Sequence, residues 1–100
     1  MKKVLVKYEE DFGRHGSLDA LFICEESVFK RMIKAGSLYL GEVLGKHSEV
    51  SATLSPETLS ILSKDEKFIS KLEEVFKISP DYGYVSGLDM LAHFLEQEIE

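Results

Sequence analysis

A single cysteine, Cys24, in 100 residues leaves no internal disulfide to form and no cysteine pair to hold a metal. Tryptophan is absent and prolines number two, so no proline-rich linker divides the chain, and one domain spanning 1–100 is expected. No apolar run approaches the roughly 18 residues of a membrane span, so no membrane partner is expected. The opening places only Val4, Leu5 and Val6 between Lys3 and Lys7, too few for the apolar stretch of a signal peptide. A reducing, cytoplasmic setting is the expectation that follows.

Positive charge is also scarce. Lys and Arg total 12 against 18 Asp and Glu, and the net charge is -6. Residues 1–50 hold eight bases and eight acids, whereas residues 51–100 hold four against ten, so the whole excess lies in the C-terminal half. Nucleic-acid affinity comes from cations that neutralise phosphates, so no direct nucleic-acid binding is expected. An acidic half fits either an ordinary soluble surface or a face meant for a basic partner. With 44% hydrophobic residues the chain carries enough apolar material for one core, which excludes disordered and low-complexity classes.

The apolar pattern predicts an α+β fold: an antiparallel sheet of four or five strands built from two hairpins, with three helices. The run from Val4 to Tyr8, the turn Gly13-Arg14-His15-Gly16 and the run from Leu18 to Cys24 read as the first hairpin. Val28, Phe29, Met32 and Ile33 then share one helical face, with acids before them and bases before Gly36. Residues 38–44, the turn 45–48 and residues 50–54 read as the second hairpin. Residues 55–62 suit either a helix started by Pro56 or a strand; the alternation of Thr58-Leu59-Ser60-Ile61-Leu62 favours a short fifth strand.

Ser63 and Glu66 have the spacing of a capping box, and Phe68, Ile69, Leu72, Val75 and Phe76 line one face of the helix that follows. Residues 78–85 read as a loop. Ser86 offers a cap to a last helix striped by Leu88, Leu91, Ala92, Leu95 and Ile99. Met90 and Phe94 widen its apolar arc, which burial between two neighbours explains better than a docking face. The two C-terminal helices are expected on one face of the sheet.

Shifted by 32 positions, Glu10-Asp11-Phe12-Gly13-Arg14-His15 falls on Glu42-Val43-Leu44-Gly45-Lys46-His47. Glycine at both turns follows from geometry, but the shared Glu and His do not. Two such turns offer backbone N–H groups, a cation and an imidazole, the ingredients for holding phosphate or carboxylate. Arg14, His15, Lys46 and His47 are therefore the candidate ligand-binding residues. His47 or His15, with Glu42 or Glu10 in reach, are candidates for a general base. The plain alternative is a pair of solvated hairpin tips.

Other motifs fail on spacing. Gly41 to Ser48 has three residues between its glycines and His47 after the lysine, where a phosphate-binding loop needs four and then Ser or Thr. His47-Ser48-Glu49 lacks the paired cysteines of a zinc deaminase, and no zinc-ligand spacing exists, so neither metal nor cofactor is expected. Cys24 ends an apolar strand and reads as a buried, inert thiol. His93 reads as a boundary residue of the last helix, and the tyrosines of Asp81-Tyr82-Gly83-Tyr84 as cover for a core edge.

Two functions and a plain third, a subunit whose only task is assembly, remain, and the sequence leaves open whether the protein is an enzyme. The leading expectation is a small acidic interaction protein without catalysis, with a protein partner or a second copy of itself as a homodimer. Such a protein could occupy a basic surface, a use that would suit a phage or mobile-element protein. The alternative is a site for an anionic, phosphate-containing ligand, bound or hydrolysed between the two Gly-base-His turns.

Overall fold

The computed structural model describes residues 2–41, 49–78 and 83–99, without the side chains of His15, Glu98 and Ile99. The protein is α+β, with a four-stranded antiparallel sheet, a separate two-stranded sheet and three helices. Strands β1 (Lys3–Asp11) and β2 (Ser17–Glu25) form the first hairpin in unbroken register from Lys3 opposite Glu25 to Asp11 opposite Ser17. A single 3-10 turn, Gly13–His15, closes it, with the Phe12 N–H donating to Gly16 O. Helix α1 (Glu26–Ala35) follows and ends at Gly36 in the left-handed region, where a Cβ would be strained.

Strands β3 (Ser37–Gly41) and β4 (Val50–Thr53) make the second hairpin, whose tip at 42–48 lies outside the described residues. This hairpin forms its own two-stranded sheet instead of extending the first. The larger sheet is completed by β5 (Leu59–Ser63), which pairs with β1, and β6 (Tyr84–Gly87), which pairs with β2, in the order β5-β1-β2-β6. The alternation in residues 58–62 thus does mark a strand, and Pro56 sits in the turn before it.

β6 was hidden in the expected loop because it is short and bounded by glycines. Those glycines are needed by close approach: a Cβ on Gly83 would lie 1.8 Å from Ile23 O, and one on Gly87 2.4 Å from Asp19 O. Ser86 pairs with Leu21 in the ladder, so it does not cap the last helix, α3 (Met90–Ile99). Asp89 serves there, its Oδ1 accepting from the Ala92 N–H at 3.4 Å. A similar shift occurs at α2 (Glu66–Phe76). Asp65 Oδ1 accepts from the N–H groups of Lys67 and Phe68, while Ser63 Oγ accepts from Asp65 N, so the Ser63–Glu66 capping box does not form.

The central strands are apolar on both faces. Val4, Val6 and Tyr8 alternate with Leu5 on β1, and Phe22 and Cys24 alternate with Ile23 on β2, all buried. A sheet of that kind needs cover on each side. The inner face, with Val6, Tyr8 and Phe22 fully buried, packs against Met32 of α1, Leu38 and Ala52 of the second hairpin, and Met90 and Phe94 of α3. The outer face, Leu5 and Ile23, packs against Ile69 of α2. The two C-terminal helices therefore lie on opposite faces instead of sharing one. The wide apolar arc of α3 is core, since Met90, Leu91 and Phe94 are all buried.

Candidate functional site

The hairpin-turn residues have distinct placements. Arg14 is exposed in the 3-10 turn between β1 and β2; the His15 side chain, Glu42, Lys46 and His47 lie outside what is described. Glu10 has a structural occupation. Its Oε1 accepts from Tyr8 Oη at 2.7 Å and from the Thr53 N–H at 2.8 Å, which ties β1 to the base of the second hairpin. Thr58 Oγ1 donates to Thr53 O, so the same residue of β4 is held on both its backbone groups. The Tyr8 phenol is raised well above the usual range by burial first and by the Glu10 carboxylate second, so it stays a donor.

Cys24 is 7% exposed, and burial pushes its thiol up to about 12 despite a hydrogen bond from the Phe29 backbone. A thiol so protonated is a poor nucleophile. His93 lies half-buried on α3, and Tyr84 Oη donates to Gly87 O at 2.9 Å, which folds that ring back over its own strand. Among the described residues no group of three His, Cys, Asp or Glu is placed to hold a metal.

A cleft of about 560 Å³ opens where β1 begins and both α1 and α2 have their N-termini, lined by Lys2, Lys64 and Lys67 with Glu26, Asp65 and Glu66. Its charges largely answer one another. Lys64 Nζ is 2.8 Å from Glu26 Oε2 and holds that carboxyl below the usual carboxylate range, while Asp65 already occupies the N-terminus of α2. The arrangement braces the start of two helices against β1 and β5.

The surface that stands apart is α2. Of the five apolar residues on its stripe, Ile69 is buried and Leu72 half-buried, but Phe68 is 49% exposed and Val75 and Phe76 are each 62% exposed. Sequence reasoning predicted the helix and the single face on which these five residues lie. The sheet beneath is apolar only in part: Leu5, Leu21 and Ile23 on its outer face belong to the cluster with Ile69, whereas Lys7, Glu9 and Asp19 on the same alternation are exposed. The apolar arc of α2 is wider than the apolar patch it can cover. The signal was available in principle, since those three charged residues share the alternation of Leu5 and Ile23.

Charge around this face is balanced. Helix α2 carries Glu66, Glu73 and Glu74 against Lys67 and Lys71, with Lys77 just past its end. Lys3 Nζ holds Glu73 at 2.8 Å. Lys67, Lys71 and Glu74 are exposed and make no ion pair among the described residues. No helix of the described residues is long and apolar enough to cross a membrane. No protein family, curated protein or solved structure matches the chain.

Proposed function

We propose that this chain is a non-catalytic interaction protein that presents the exposed flank of α2 to a protein partner. One observation carries the reading: Phe68, Val75 and Phe76 sit on one helix, each about half exposed or more. Single exposed apolar residues are common on monomers, but here Phe68 and Val75, seven residues apart, share one flank and Phe76 follows Val75 at the helix end. Two of them are phenylalanine, one of the residue types enriched at the centre of protein interfaces.

The partner surface this favours is apolar at the centre with a mixed-charge rim. Little of the acidic excess of the C-terminal half falls on α2, which carries three acids against two bases, so attraction to a basic surface is a secondary contribution here. Adenine, phosphate or sugar recognition would call instead on polar groups converging in a pocket. The flank of α2 offers none.

The test is a photo-crosslinking amino acid placed at position 75, and separately at exposed position 57, in the producing cell. A discrete adduct from position 75 and none from 57 supports a binding face on α2. Absence of any adduct from 75, with the protein folded, overturns it.

A further inference from the structure

We infer that α2 is a detachable cover: it opens as a unit while the rest of the fold stays closed, and so uncovers Leu5, Leu21 and Ile23 on the outer face of the sheet. This opening is independent of what the flank of α2 binds.

Little holds the helix. Of its 11 residues, Ile69 is buried and Leu72 half-buried. The other two helices have broader anchorage: Met90, Leu91 and Phe94 of α3 are buried, and on α1 Val28, Phe29 and Ile33 join the buried Met32 in the inner core. Ile69 meets Leu5 and Ile23, with Leu21 and Val85 at the margin. This cluster shares no residue with the inner core, so its packing can be lost while that of Val6, Tyr8 and Phe22 stays whole.

The helix has no stability of its own to fall back on. An isolated helix of 11 residues is marginal in water, so undocking and unwinding of α2 are one event. It ends at Lys77, which has φ 53 and is the one non-glycine residue in the left-handed region among the described residues, a conformation that lysine holds at a cost. The polar ties are two ion pairs at 2.8 Å, Lys3 with Glu73 and Lys64 with Glu26, each with a lysine side chain 38% exposed or more. Pairs so open to solvent add little. Opening also uncovers little: Lys7, Glu9 and Asp19 on the same face are already exposed, so the sheet brings only a short apolar strip into water.

Amide hydrogen exchange of the full chain, in guanidinium concentrations below its unfolding transition, tests this. The amides of 69–76 are expected to show at most about a third of the denaturant slope of the paired amides of β1 and β2, because a partial opening exposes only part of the surface. Val6→Ala, in the inner core, accelerates the β1 and β2 amides about tenfold or more and leaves those of 69–76 within about twofold of the parent. In an Ile69→Cys variant, a thiol reagent labels position 69 at least about tenfold faster than Cys24, which is packed in the inner core.

Equal denaturant slopes for α2 and the central strands, in the unmodified chain, overturn the cover, since α2 then opens only with the whole domain. Equal acceleration of both by Val6→Ala, or equal labelling of the two thiols, overturns it as well. None of these outcomes bears on the crosslink from position 75, so the binding-face reading stands or falls separately.

Discussion

The two faces of the four-stranded sheet are built from the same strands and have opposite fates. The inner face is closed by α1, α3 and the second hairpin, and its side chains Val6, Tyr8 and Phe22 are at most 1% exposed. The outer face is closed over Leu5 and Ile23 by one helix, and that helix leaves three of the five residues of its own apolar stripe exposed. Burial therefore concentrates on the inner side and exposed apolar surface on the outer. A side chain's type does not assign it to either role, since Phe22 and Phe76 differ only in what the fold sets against them.

Breaking the inner face should have the largest effect. Phe22→Ala is expected to lower unfolding free energy by about 3–5 kcal/mol in a denaturant titration, the cost of a large core cavity. That is a large share of the total for a domain this small. Gly83→Ala comes next, at about 2–4 kcal/mol, because it joins left-handed backbone to a clash with Ile23 O. Ile69→Ala, on the outer face, is expected at about 2–3 kcal/mol and would free α2 from the sheet, visible as faster amide exchange in 66–76. Phe76→Ser sharpens the contrast: within about 0.5 kcal/mol of the parent, its effect should show only in association.

Chemistry at the two faces should differ in the same way. Cys24 lies on the inner side, so a thiol reagent at pH 8 should label it only as fast as the protein opens. Its raised pKa means the unfolded chain loses the proton first as pH rises. Stability is thus whole below the ordinary thiol pKa and falls as pH climbs toward about 12. Glu26 at the exposed cleft has the reverse sign. Its depressed carboxyl pKa gives a contribution present above the ordinary carboxylate pKa and lost as pH falls through the depressed value. Lys64→Met should return the Glu26 titration, followed by NMR, toward the ordinary range, with little change in melting temperature because the pair is exposed.

Most of the elements were legible in the sequence because their apolar periods are clean. Residues 58–62 alternate, residues 28–33 repeat at helical spacing, and each gave its element. β6 was not legible: the glycines that suggested a loop are required by its contact with β2, a constraint that exists only once β2 is in place. The cap residues failed for a related reason, since Ser63 and Ser86 have the right chemistry but belong to strand ends, and Asp65 and Asp89 stand where the chain turns. Glu10 was a candidate to assist a general base, and the structure gives it Tyr8 and Thr53 as partners, 43 residues apart in sequence in the second case.

By itself the sequence determined the fold class, the strand and helix periods, the acidic excess of the C-terminal half, and the thiol's place at the end of an apolar strand. Local periodicity and composition are enough for those. Only the tertiary structure decided that α2 and α3 cover opposite faces, that the second hairpin stands as its own sheet, and that Phe68, Val75 and Phe76 remain in water. Exposure is a property of pairs of surfaces, and the apolar area that the sheet offers to α2 is fixed by strand order and register, which no single segment encodes.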